Sequence, residues 1–169
     1  MAWKTSANSP LGISPPNGIA DPNIVNQVGT IAKFVDELLG EGEFIYLPGV
    51  ASCAAGDLVL YDLSPVSVTI TRHTNATGSN SGRPLAIALG PTLAGQFGWF
   101  QISGATIVNA VAGTAIGPAF GSATAGQVSS TVDAGDQIMN ARISSAVGVP
   151  AAGKCYMTLN RPHVQGQIT

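Results

Sequence analysis

The chain has 169 residues, of which only 9% are charged, and its formal net charge is −2. That length suits one domain with an appendage and a core that needs no disulfide staple. The sequence has no basic cluster interleaved with aromatics, no run of 18 or so apolar residues, and no apolar leader after Met1-Ala2-Trp3-Lys4-Thr5-Ser6. These features argue against direct nucleic-acid binding, a helical membrane span and a secretion signal, so the expectation is a protein made and kept in a cytosol-like compartment.

Small residues stand where charge would normally lie, and such a weakly repulsive surface is expected to be covered by other subunits or by a larger assembly. Seven of the nine acids (Asp21, Asp36, Glu37, Glu41, Glu43, Asp57 and Asp62) precede residue 63, whereas five of the seven bases (Arg72, Arg83, Arg142, Lys154 and Arg161) follow it. An acidic half on one copy could therefore meet a basic half on the next.

Residues 1–22 carry Pro10, Pro15, Pro16 and Pro22 among Ser, Asn and Gly. Proline fixes φ and disfavours helix in its predecessor, so this stretch reads as an extended arm able to reach up to about 65 Å at about 3.1 Å per residue. With its continuation the arm is taken to residue 29, and a β-domain is expected over 30–169. Trp3, Leu11, Ile13 and Ile19 are scattered apolar residues without partners inside the arm, which makes them candidate anchors on a neighbouring subunit.

Ile24, Val28, Ile31, Val35, Leu38 and Leu39 fit a helical stripe, but Gly29-Thr30 interrupts it, and the preferred reading of residues 30 to 36 is a strand; Gly40 to Glu43 reads as a turn and Phe44 to Leu47 as a strand stopped by Pro48-Gly49. Leu58 to Leu63 is a near-continuous apolar strand, and Val66, Val68 and Ile70 alternate with Ser67, Thr69 and Thr71. A polar loop spans Thr74 to Gly82. Strands are then expected at Leu85 to Leu89, at Phe97 to Ile102 ending by Gly104, and at Ile107 to Val111. Further strands follow at Ala115 to Phe120, Val128 to Val132, Ile138 to Ile143 and Lys154 to Asn160. In the last of these Cys155, Met157 and Leu159 share the buried face. On the aromatic strand Trp99 and Phe100 face opposite sides, so one belongs to the core and the other, Trp99, is a candidate interface residue.

Six Ala-Gly pairs punctuate these elements, each followed by a polar residue: Asp57, Gln96, Thr114, Gln127, Asp136 and Lys154. Glycine accepts positive φ without a Cβ clash, so each pair marks a tight turn. The predicted fold is therefore all-β: a small antiparallel β-barrel or sandwich of about nine or ten short strands with an extended N-terminal arm.

Residues that could carry chemistry are few. Gly148-Val149-Pro150-Ala151-Ala152-Gly153-Lys154 matches the first seven positions of a phosphate-binding loop. However, Cys155 replaces the Ser or Thr that would hold magnesium, and the run leads into a strand instead of a helix. Gly40-Glu41-Gly42-Glu43 lacks the third glycine of a dinucleotide loop, and its acids would repel a pyrophosphate. His73 and His163 have no metal-ligand spacing and read as loop histidines, while Asp133 and Asp136 read as turn residues. Cys53 and Cys155 read as buried reduced thiols. Accordingly, we expect no catalytic residues, no metal and no cofactor. A carbohydrate-binding barrel is the alternative class, and Trp99, Tyr46 and Tyr61 are the residues that could line its pocket.

Five stretches occur in order between about residues 29 and 165: Gly40-Glu-Gly-Glu-Phe-Ile-Tyr-Leu-Pro-Gly-Val50, Ala94-Gly-Gln-Phe-Gly-Trp-Phe-Gln-Ile102, Thr124-Ala-Gly-Gln-Val128, Ala134-Gly-Asp-Gln-Ile138 with Ala141-Arg142, and Leu159-Asn-Arg-Pro-His-Val164. In their order and spacing the chain resembles the capsid decoration, or cement, proteins of tailed bacteriophages. The resemblance implies a β-rich, commonly trimeric virion protein, made in the host bacterial cytoplasm, that sits on the outer capsid surface and bridges subunits of the major capsid protein. A fibre, baseplate or other low-copy phage appendage would use the same glycine-rich framework and is the nearest alternative.

Overall fold

A computed structural model describes residues 3–5, 22, 23, 25–64, 68–75 and 82–166. Among these residues there is no helix, and eleven strands form one antiparallel network. They are β1 (Lys4–Thr5), β2 (Ile31–Asp36), β3 (Gly40–Pro48), β4 (Leu58–Leu63), β5 (Val68–Arg72), β6 (Leu85–Ala88), β7 (Phe97–Asn109), β8 (Gly117–Gly121), β9 (Val128–Ser129), β10 (Gln137–Ile143) and β11 (Lys154–Val164).

β7 organises the molecule. Its first half pairs with β3 from Phe97 to Ser103 and with β6 through Phe100 and Gln101, while its second half pairs with β11 from Ser103 to Asn109. The sheet therefore forks. One branch runs β6-β4-β5 and curls back until β5 contacts β3; the other runs β11-β10-β8-β9.

The fork creates two apolar centres with β4 and β6 as their shared wall. Leu58, Leu60, Leu85 and Ile87 point into one, with Val108, Ile143, Met157 and Leu159, while Val59, Ala86 and Ala88 point into the other, with Ile45, Leu47, Phe100 and Ile102. A strand buried on both faces loses polar alternation, which explains why Leu58-Val59-Leu60 and Leu85 to Ala88 are continuously apolar. Alternation survives where one face is wetter, as in β11, whose Cys155, Met157 and Leu159 are buried as expected.

Two local expectations are corrected. The predicted strands Phe97 to Ile102 and Ile107 to Val111 are one strand, because Gly104 takes φ +95° just after a bulge at Gln101 to Ser103 instead of ending the element. A Cβ there would lie 2.5 Å from the Glu41 carbonyl oxygen. Gln101 holds the bulge, its Nε2 donating to the carbonyls of Ser103 (3.0 Å) and Ala105 (2.8 Å). Likewise Gly40 to Glu43 belongs to β3. The turn lies earlier, at Glu37 to Leu39, where Asp36 Oδ1 accepts from the backbone N–H groups of Leu38 (2.9 Å) and Leu39 (3.0 Å).

The start of the chain is also not free. Lys4 and Thr5 pair with Val35 and Phe34, so residues 3–5 belong to the sheet and not to an arm ending at residue 29.

Candidate functional site

Strand β2 alternates between two environments. Ala32, Phe34 and Asp36 are buried, whereas Ile31 and Val35 are exposed on the opposite face. Val25 before the strand and Leu38 in the turn after it are exposed as well, so the stretch from 25 to 38 forms an apolar margin beside a sheet edge. Among the described residues, β1 pairs with Phe34 and Val35 of that edge. Charge is interleaved here: Lys33 lies 3.4 Å from Glu41 and 3.8 Å from Glu43, and Arg161 Nε donates to Glu43 at 3.1 Å. Exposed pairs of this kind contribute little stability but discriminate between partners.

Behind the margin lies an aromatic layer. Trp3 meets Phe44 edge-on at 4.7 Å, Phe34 lies 5.4 Å from Phe44 and 5.2 Å from Trp99, and Tyr46 lies 5.3 Å from Trp99 and stacks on Phe97 at 6.2 Å. Trp3, expected as an anchor on a neighbouring subunit, is 7% exposed and covers Phe44 of its own chain. The reason is local: β3 and β7 need cover on this face, and β1 delivers Trp3 to it. Trp99 is half-buried in the same layer, opposite in direction to the fully buried Phe100, as strand geometry requires. Leu11, Ile13 and Ile19 lie outside the described residues. Tyr46 and Trp99 bury against each other whereas Tyr61 packs with the other apolar centre, so these three do not line a common pocket.

Sequence reasoning missed the polar interior. Asp57, 1% exposed, accepts from Arg72 Nε (2.8 Å), Asn109 Nδ2 (2.8 Å) and the Ala54 N–H (2.9 Å). Lys154 Nζ extends this network by donating to Asn109 Oδ1 at 2.7 Å. Lys154, last residue of the phosphate-loop-like run, is thus engaged with its own chain and opens strand β11. The next residue after Arg72 makes a second pair: His73 Nε2 sits 3.4 Å from Asp136 Oδ2. Both side chains are buried, His73 fully. His73 lies in the loop directly after β5 and Asp136 closes the turn that starts at Asp133, as expected, but both side chains point inward; His163, read as a loop residue, instead lies within β11. Asp133 acts through Asn75, whose Nδ2 donates to its carboxylate at 2.6 Å.

The available signal was the repetition of Ala-Gly-Asp at 55–57 and 134–136. Each turn places its carboxylate inward, and the adjacent Arg72 and His73 serve one each. Gly121 makes room for the second pair, since a Cβ there would overlap the Asp136 carboxylate and the His73 ring.

Among the described residues no group of three or more His, Cys, Asp or Glu converges in a way that could hold a metal ion, and no helix is long and apolar enough to cross a membrane. Cys53 and Cys155 are buried free thiols, and burial pushes both up to about 11. Such thiols stay protonated at neutral pH and are poor nucleophiles. The geometry defines an all-β protein with a forked sheet, an apolar margin on one edge and buried aspartates whose partners tie its turns together. No protein-family model, curated protein or solved structure matches the chain.

Proposed function

We propose that the protein is a structural virion protein that decorates the outer surface of a bacteriophage capsid and stabilises the mature shell by bridging subunits of the major capsid protein. The observation that carries this reading is the margin of exposed Val25, Ile31, Val35 and Leu38 along and beside strand β2. An exposed apolar margin calls for a partner, and a chain with 9% charged residues has little charge with which to keep copies apart. The resemblance of its ordered glycine-turn and aromatic stretches to decoration proteins supplies the kind of partner, with self-association as a homotrimer.

The mechanism is thermodynamic. A protein that binds only the mature shell stabilises that state by mass action, and many copies add small contact energies into resistance against internal pressure. No catalytic step is involved.

The test is the ratio of this chain to the major shell protein in purified particles, measured by quantitative mass spectrometry. A ratio near unity supports the lattice-wide role; a few per cent moves the protein to a fibre, baseplate or other appendage; absence overturns the virion reading. A folded Ile31→Lys/Val35→Lys variant that still decorates particles fully would remove the margin from the mechanism.

A further inference from the structure

A second feature of the molecule is a cavity of about 260 Å³ between the fork of the sheet and the turn before β11. Ala88, Leu89, Ile107, Pro150, Ala151 and Lys154 form much of its wall, which is mostly apolar. Leu89 and Ile107 are only partly buried, so apolar surface is available there to a ligand. An apolar cavity of about 150 Å³ already holds a benzene ring, and this one therefore has room for a body of about six carbons with a polar head.

Lys154 gives the cavity a chemical preference, being the one charged residue in its wall among the described residues. Asn109 lies opposite it in the β7–β11 register, and Lys154 Nζ donates to Asn109 Oδ1 at 2.7 Å and to the Ala55 carbonyl at 3.2 Å. Ala55 lines the cavity as well, so the ammonium sits at its margin. An ammonium has three N–H donors, and these two bonds leave one for a ligand. The charge is not balanced either. Among the described residues this network contains two cations, Arg72 and Lys154, and one carboxylate, Asp57, which Arg72 engages directly at 2.8 Å while Asn109 stands between it and Lys154. A partly buried cation without an anion of its own favours an anionic ligand, because the attraction strengthens where water is partly excluded.

The turn that supplies Pro150, Ala151 and Lys154 is the run that matches a phosphate-binding loop in sequence. Its surroundings select a different anion. Phosphate carries oxygens on every side, and one ammonium in an apolar wall leaves most of them without a partner. A carboxylate at the end of a short hydrocarbon puts one charge on Lys154 and leaves the rest of the molecule to the apolar wall.

We propose that this cavity binds a small monocarboxylate with an apolar body, its carboxylate on Lys154 Nζ and its hydrocarbon against Leu89, Ile107 and Ala151. The inference does not depend on the capsid reading. A ligand seated there joins β6 and β7 to the turn before β11 and stabilises the folded chain by mass action.

The experiment is a titration of the full chain with sodium hexanoate, followed through the methyl signals of Leu89 and Ile107. Hexanamide, equal in size but uncharged, and inorganic phosphate, which lacks the hydrocarbon, are titrated in parallel. The expected result is saturable shifts with hexanoate at about 1 mM, binding of hexanamide about tenfold weaker, and no methyl shift with phosphate. Lys154→Met, which keeps the aliphatic stem, should weaken hexanoate binding about tenfold, and Ala151→Phe, which fills the cavity from an exposed position, should abolish the shifts. Should Lys154→Met fail to fold, the comparison of hexanoate with hexanamide reads the same charge in the native protein. Absence of saturable shifts at about 20 mM hexanoate would overturn the proposal. So would equal binding of hexanoate and hexanamide, phosphate shifts as large as those from hexanoate, or unchanged affinity in folded Lys154→Met.

Discussion

Asp57 and Arg72 meet at 2.8 Å in the interior, the carboxylate buried and the guanidinium 26% exposed. Arg72 also donates from Nη2 to the Ala125 carbonyl at 2.7 Å, and the Gly126 N–H donates to the His73 carbonyl at 2.8 Å. Three Ala-Gly turns, at 55–56, 125–126 and 134–135, therefore converge on the end of β5. The end of this short strand becomes the clasp between the two branches of the sheet.

Asp57→Ala leaves Arg72 and Asn109 without their shared acceptor. Loss of one member of a buried pair costs about 3–5 kcal/mol, and the partial exposure of Arg72 puts this case at about 3 kcal/mol. Asp57→Asn, which keeps an acceptor oxygen, should cost less. Urea unfolding of both variants measures this, and a loss below about 1 kcal/mol for Asp57→Ala would show that water replaces the carboxylate.

Gly121→Ala and Gly113→Ala separate crowding from backbone strain. Gly121 has no positive φ, but an added Cβ would collide with Asp136 and His73; Gly113 has φ +81° and open space around it. Overpacking should make Gly121→Ala the worse variant, by about 2–3 kcal/mol, against about 1 kcal/mol for Gly113→Ala. Equal denaturation midpoints would contradict the tight seating of the His73–Asp136 pair.

The two thiols set a pH dependence at the alkaline end. Burial raises both to about 11, above the ordinary thiol value of 9.0, so the folded state holds the protons more tightly than the unfolded one. The associated stability is fully present below pH 9 and is lost as pH rises towards 11. Native protein should resist iodoacetamide at pH 8 and react at both cysteines once unfolded, as counted by intact mass; alkylation of the native fold at the unfolded rate would refute the burial.

Trp3→Ala removes the cover from Phe44 without touching the two apolar centres. Buried Trp→Ala changes usually cost about 3–5 kcal/mol, but here β1 can detach alone, so the loss is limited to its docking energy, about 3 kcal/mol at most. The expected signature is faster amide exchange at Phe34 and Val35, the β1 partners, with a retained β-type circular dichroism spectrum. Global unfolding would show that the aromatic layer supports the whole sheet.

Much of the fold was legible because strand burial writes a local pattern. Ile31 to Asp36, Leu58 to Leu63, Ile138 to Ile143 and the alternation of Cys155, Met157 and Leu159 all match strands at or near the expected bounds. Less of the site was legible. Gly104 carries the same signal whether it ends a strand or follows a bulge within one, and the choice rests on Gln101 and on the approach of the Glu41 backbone. Trp3 looked partnerless because its partner, Phe44, lies far along the chain.

By itself, then, the sequence determined an all-β chain, the places of most turns and strands, and the buried character of both cysteines, since these follow from periodicity and from what glycine permits at a single position. Tertiary structure alone decided that the sheet forks at β7, that Trp3 covers its own domain, and that the two Ala-Gly-Asp turns bury their carboxylates against Arg72 and His73. Those outcomes depend on which side chains meet across long loops. A turn motif states that the chain reverses, and only the packed neighbour decides whether its aspartate faces water or the interior.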